Sequence, residues 1–322
     1  MEDKYGRKIE YLRISVTDRC NLRCQYCMPE NGVPMLKHED ILSYDEIIRL
    51  AGIFSKLGIT KIKLTGGEPL VRKNLPALVR GLKQIDGICE VTLTTNGTLF
   101  KEQALELWEA GIDKVNFSLD TLNPEKYEKI TRRNYFYDVL EGIDKALEFN
   151  IKTDINVVTL RNYNYDEIAD LAGMAYKKPI NVRFIEMMPI GMGKDILSYS
   201  EREIMDILEN EFGAPEEILG KTGNGPARYI HFKGFSGNIG IISSISNGFC
   251  DECNKVRLRS NGLLKLCLGH EDGVDLREAL RSGMKDDEIL YLIKTSVYNK
   301  PKSHEFLSAD NSDKTPMSEI GG

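Results

Sequence analysis

Six short β-branched runs punctuate the first two thirds of this 322-residue chain: YLRISV, TKIKLTG, CEVTLTTN, KVNFSLDT, TDINVVTL and VRFIEM, each bounded by turn or polar residues. Between them lie segments of helical period, YDEIIRLAGIFSKLG, KEQALELWEAG, YDVLEGIDKALEFN and YDEIADLAGMAYKK, several stopped by a Gly or Asn suited to a helix C-terminus. Strand alternating with helix predicts parallel strands joined by right-handed crossovers. Six such units are too few to close an eight-stranded barrel in the usual way, so a partial barrel and an open sheet both fit. In either architecture, ligands gather where loops leave the carboxyl ends of the strands.

The alternation fails near residue 215. KTGNGPARYIHFKG and the Gly- and Ser-rich stretch after it read as short hairpins. A helix-like stretch, LREALRSGMKDDEILYLIKTSVYNK, then precedes a polar tail ending Gly321-Gly322. The expected division is therefore a domain of residues 1–215 and a smaller one of residues 216–322.

Six of the seven cysteines fall into two tight groups. Cys89 stands apart in an apolar alternating run and is expected to be a buried structural thiol. Cys20, Cys24 and Cys27 form CNLRCQYC just beyond the first strand. A cubane iron-sulfur cluster normally takes four thiolates, so three in one compact loop leave one iron open to a ligand. The amino and carboxylate groups of S-adenosylmethionine suit such an iron, and an electron from the cluster can then generate a 5′-deoxyadenosyl radical. The competing reading is a structural zinc site, but its fourth ligand is not obvious, since His38 lies well beyond Cys27. At the second strand's end stand Gly66, Gly67, Glu68 and Pro69, where bare glycines let backbone approach a ligand ammonium.

Cys250, Cys253 and Cys267 again supply three thiols, either to a second cluster with an open iron or, with His270, to zinc. Lys255, Arg257 and Arg259 alternate as on one strand face, with Lys265 nearby. Beside an open cluster, such cations suit a phosphate-bearing substrate. The patch is local, because Lys plus Arg is 43 against 49 for Asp plus Glu, a net charge of −6. That balance argues against a general hold on nucleic acid or an anionic membrane. The start shows no signal-peptide core and no apolar run is long enough to span a bilayer, so a cytoplasmic protein with reduced thiols is expected.

The first cysteine pattern, with Tyr26 before its third Cys and GGEP at the second strand's end, resembles the radical S-adenosylmethionine superfamily. The ordered set YLRISVTDRCNLRCQYCMP, KLTGGEPL, TTNG, FSLDT, RFIEMMPIG, FCDECNKVRL and the terminal Gly-Gly is similar to the GTP 3′,8-cyclases of molybdenum cofactor biosynthesis. The resemblance implies an α/β fold, a partial (β/α)6 TIM-like barrel with a smaller C-terminal cluster-binding domain. It implies two [4Fe-4S] clusters and S-adenosylmethionine, with the first cluster on Cys20, Cys24 and Cys27 and a second on Cys250, Cys253 and Cys267 that holds guanine. Tyr26, Gly67, Ser118 and Met188 fall where that family contacts S-adenosylmethionine, and Arg13, Lys63, Thr94, Lys255 and Arg257 where it contacts GTP. Arg183 is a further cation for the cavity, and Gly321 and Gly322 form a tail thought to enter the active site.

The chain departs from that pattern at Asp154, where lysine is usual before the asparagine of the fifth strand. Lys152, on the same strand face, is expected to reach the phosphates in its place. The family also implies a cyclic pyranopterin monophosphate synthase downstream, a flavodoxin or ferredoxin-type electron donor, and a homodimer. Competing readings are a peptide-modifying radical enzyme with an auxiliary cluster, which would carry more cysteines after the barrel, and a zinc-stabilised binding protein.

Overall fold

In a computed structural model, residues 1–218, 225–306 and 317–320 are described. The six expected strands are all present: β1 (Tyr11–Ser15), β2 (Lys61–Thr65), β3 (Glu90–Thr95), β4 (Lys114–Ser118), β5 (Lys152–Val158) and β6 (Asn181–Ile185). They pair in chain order and in parallel. Helices α1 (Tyr44–Lys56), α2 (Leu75–Lys83), α3 (Phe100–Glu109), α4 (Pro124–Thr131), α5 (Phe136–Glu148) and α6 (Ile168–Lys177) make the crossovers. The start of α1 shows why local sequence suffices: the Ser43 hydroxyl accepts from the Glu46 amide, while the Glu46 carboxylate accepts from the Ser43 amide.

The C-terminal strands extend this same sheet. After α7 (Glu201–Phe212) come β7 (Glu216–Glu217), β8 (Arg228–His231) and β9 (Ile239–Ile242), with β9 parallel to β6 and the other two antiparallel beyond it. At the opposite edge β10 (Lys255–Leu258) lies parallel to β1, followed outward by β11 (Leu263–Lys265) and β12 (Gly273–Asp275). The sheet order is β12-β11-β10-β1-β2-β3-β4-β5-β6-β9-β8-β7. The long helical stretch near the end divides into α8 (Leu276–Arg281) and α9 (Asp286–Tyr298) around Gly283, which adopts φ +84°. A short helix, α10 (Met317–Ile320), closes the described chain. Among the described residues no helix is long and apolar enough to cross a membrane.

Alternation along the strands separates core from site. Leu12, Ile14, Ile62, Leu64, Val91, Leu93, Val115, Phe117, Val182 and Phe184 face the helices and are all fully buried. The intervening residues, Arg13, Lys63, Thr92, Lys114, Asn116 and Arg183 among them, line the concave side. A barrel filled with apolar layers is a packed core; this one has a polar interior.

Cys89 is a correction to the sequence reading. It is exposed, because it sits one residue before β3, at the turn made by Gly87, rather than inside the alternating strand.

Candidate active site

The concave side encloses a cavity of about 370 Å³, lined by all six clustered cysteines. The first triad follows β1 and so lies at the carboxyl ends of the strands. The second approaches from the opposite end: Cys250 and Cys253 precede β10, and Cys267 follows β11, which runs antiparallel to it. The expectation that chemistry gathers at carboxyl ends therefore holds for one triad only.

The first triad's loop is anchored on several sides. The Arg23 and Gln25 amides donate to Thr131 and Ile130 carbonyls at the end of α4, each at 2.9 Å. Arg23 Nη1 donates to the Cys20 carbonyl at 2.7 Å. The GGEP segment contributes backbone bonds, the Gly67 amide to Thr17 O at 2.8 Å and the Glu68 amide to Arg19 O at 2.7 Å. A Cβ on Gly67 would stand 2.3 Å from Arg19 O, so the glycine is required by the cysteine loop itself. Glu68 accepts from the Leu70 amide, Thr95 Oγ1 and the Asn96 amide at 3.0, 2.7 and 2.6 Å. Burial still pushes its carboxyl up to about 7.

The thiols fit an iron centre by their chemistry. Burial, then the nearby Glu68 carboxylate, pushes the Cys20 thiol up to about 11. Burial followed by the charges of Cys27, Asp120 and Cys20 raises Cys24 well above its ordinary value. Three thiolates gathered in one loop, where two of them oppose ionisation of Cys24, need positive charge among them, which iron supplies. The two histidines that the sequence offered to zinc do not reach the thiols: His38 is exposed, and His270 lies 2.9 Å from the Ser303 carbonyl, with neither in the cavity lining.

At the second triad, Arg7 Nη1 donates to the Cys250 carbonyl at 2.8 Å and to that of Lys302 at 2.7 Å. Lys300, 2% exposed, donates to the Leu266 carbonyl beside Cys267. Burial alone would raise the Cys253 thiol, but Lys300 and Lys255 outweigh it and hold that thiol below its ordinary value. Sequence reasoning missed Arg7 and Lys300, which come from distant segments with no local motif.

Between the triads the wall is cationic. Arg257, Arg13 and Lys63 occupy one row across β10, β1 and β2 by their register. Burial, then the charges of Arg183 and Arg13, drives Lys63 well below its ordinary value, and among the described residues no carboxylate lies within ion-pair distance of it. Burial similarly lowers Lys255 to about 7 and Arg257 to about 9, and also lowers Arg13. Cations packed where each weakens the next form a site for a multiply charged anion. Arg259 and Lys265 lie outside the lining.

Tyr26, Gly67, Ser118, Met188 and Thr94 also line the cavity. Arg183 does too, but its Nη2 donates to Asn116 and Asn156 at 2.5 and 2.6 Å, and its Nη1 pairs with Asp154 at 2.9 Å. Lys152 is not brought to the site. It is the first residue of β5, exposed, and absent from the lining; sharing a strand face with Asp154 did not place it at the same depth. Gly321 and Gly322 lie outside the described residues.

Residues 14–175 match the family model described as Radical SAM superfamily, and residues 180–306 that described as Molybdenum Cofactor Synthesis C. A GTP 3′,8-cyclase of Clostridium perfringens (strain SM101 / Type A) is 45% identical over 327 residues, covering 100% of both chains. One of Syntrophomonas wolfei subsp. wolfei is 47% identical over 331 residues, again with 100% of both covered. Among solved structures, Streptococcus suis SuiB bound to precursor peptide SuiA superposes with a TM-score of 0.67. That match covers 98% of this chain and 71% of SuiB at 16% identity, a likeness of fold.

Proposed function

We infer how the cavity works from one premise: this chain belongs to the radical S-adenosylmethionine superfamily and, within it, to the GTP 3′,8-cyclases of molybdenum cofactor biosynthesis. Its substrate is GTP and its product 3′,8-cyclo-7,8-dihydro-GTP. The observation that carries the reading is the single cavity shared by both triads, with a row of buried cations between them. A [4Fe-4S] cluster held by Cys20, Cys24 and Cys27 would supply the reducing electron for cleavage of S-adenosylmethionine, the source of the radical chemistry that joins ribose C3′ to guanine C8, with a further electron and proton needed for the dihydro product.

The chain's own groups bind and orient. Tyr26, Gly67, Ser118 and Met188 hold S-adenosylmethionine beside the first triad. Arg13, Lys63, Lys255 and Arg257 hold the triphosphate, assisted by Thr94, through charge-assisted hydrogen bonds that gain strength where water is excluded. Cys250, Cys253 and Cys267 hold a second [4Fe-4S] cluster toward guanine. Arg183, committed to Asp154 and two asparagines, is a positioning residue. The tail reading of Gly321 and Gly322 is supported by their neighbours: Ile320 packs with Ile190 and Phe306, and Met317 lines the cavity. The same reading assigns the product to a separate cyclic pyranopterin monophosphate synthase, the electron to a reduced flavodoxin or ferredoxin-type donor, and the work to a cytoplasmic homodimer.

The test is anaerobic incubation of the reconstituted protein with S-adenosylmethionine, reductant and each of the four ribonucleoside triphosphates in turn. The expected result is 5′-deoxyadenosine and a cyclised product with GTP alone. Deoxyadenosine without a nucleotide product would overturn the reading.

A further inference from the structure

Asp154 is an acid embedded in a cationic wall, and its partners give it a task. Its side chain is fully buried in the middle of β5. Two cations that line the cavity converge on one oxygen, Oδ2: Lys114 Nζ at 2.5 Å and Arg183 Nη1 at 2.9 Å. Asn181 Nδ2 donates to the other at 2.8 Å. Burial alone would raise this carboxyl, but Arg183 and Lys114 outweigh it and hold it below the ordinary carboxylate value, so it is an anion at neutral pH.

The two cations are not equivalent. Arg183 is fixed by the asparagines of β4 and β5 as well as by Asp154. Lys114 carries an ammonium with three donors on a flexible stem, and its side chain keeps 19% exposure. Register places Lys114 beside Thr92 and Thr92 beside Lys63, so it continues the row that begins with Arg257 and Arg13. A lysine in such a row, with donors to spare, is suited to phosphate; a carboxylate holding it competes for the same proton donors.

We propose that Lys114 is a further phosphate-binding residue of this site and that Asp154 competes with the nucleotide for it, setting how tightly the triphosphate is held. The inference rests on GTP occupying the cavity as proposed above. It reverses the effect expected of a merely structural acid, whose removal would loosen the site.

The test is anaerobic equilibrium dialysis of GTP and of guanosine on the reconstituted holoenzyme with S-adenosylmethionine present. Asp154→Asn should tighten GTP about ten-fold, the scale of one charge-assisted contact, and leave guanosine unchanged. Lys114→Gln should weaken GTP several-fold, again sparing guanosine, and in that background Asp154→Asn should no longer tighten it. Should Asp154→Asn fail to fold, Lys114→Gln alone decides: selective weakening of GTP supports the proposal, and unchanged GTP binding overturns it. Unchanged or weaker GTP binding by folded Asp154→Asn overturns it equally. A wild type that holds GTP no more tightly than guanosine overturns the reading of the cavity, and this inference with it.

Discussion

Tyr26 Oη donates to Asp120 Oδ2 at 2.7 Å, tying the loop of the first cysteine triad to the turn that follows β4. Asp120 Oδ1 accepts the Val158 amide at 2.8 Å, so one carboxylate joins the cysteine loop to both β4 and β5. Burial pushes this carboxyl up to about 6, while the Tyr26 and Val158 bonds act to lower it. Tyr26→Phe should therefore destabilise the fold by about 1.5–3 kcal/mol, as for a hydrogen bond to a charged group. In a double-mutant cycle with Asp120→Asn, read by anaerobic denaturant unfolding, the two losses should fall well short of additive. Additive losses would show that the hydroxyl acts elsewhere.

Gly67→Ala places a methyl against the Arg19 carbonyl. Backbone cannot yield as a flexible side chain would, so the loop carrying Cys20 must shift while the second triad, at the other end of the barrel, is untouched. With a cubane on each triad as proposed, iron content after reconstitution should drop from about eight atoms to about four, with a cubane signal remaining. Retention of both clusters with ordinary S-adenosylmethionine binding would refute this account of the glycine.

Lys63 sets function against stability. Its depressed ammonium pKa means that burial and neighbouring cations penalise the charged form in the fold, so Lys63→Met should raise the melting temperature by roughly 2–4 °C. The same change should weaken GTP binding by about ten-fold or more, since a charge-assisted contact is lost. A variant that melts lower while binding GTP normally would contradict both halves.

Much of this was legible in the sequence because period-two alternation is a local signal. Leu12 and Ile14 against Arg13, or Ile62 and Leu64 against Lys63, identify strands and their faces without tertiary knowledge. The strands that complete the sheet, Ile239–Ile242 and Lys255–Leu258, are short, and their places beside β6 and β1 are set by long-range pairing. The same limit applied to Lys152: period two gives the face but not the depth along a tilted strand, and its first residue emerges into solvent. Asp120 and Lys114 lay within recognised runs, yet their roles depend on partners on other elements, Tyr26 and Asp154. Cys89 shows the boundary error in miniature, one residue deciding between core and surface.

Glu68 gives the fold a pH dependence of determinate sign. Its carboxyl, ordinarily near 4.5, is pushed up to about 7 by burial, despite three hydrogen bonds that favour the anion. A folded-state value above the unfolded one means that the fold takes up the proton more readily. The contribution is therefore complete below about 4.5 and is lost as pH rises through about 7. Glu68→Gln removes that proton exchange while keeping the side chain's shape. The melting temperature of wild type relative to Glu68→Gln, measured anaerobically at a series of pH values, should decline between pH 4.5 and 7 and then level off. The span corresponds to at most about 3.5 kcal/mol, because each unit of pKa difference is worth about 1.4 kcal/mol. Parallel curves across that window would show that Glu68 titrates at its ordinary value, its three donors having offset the cost of burial.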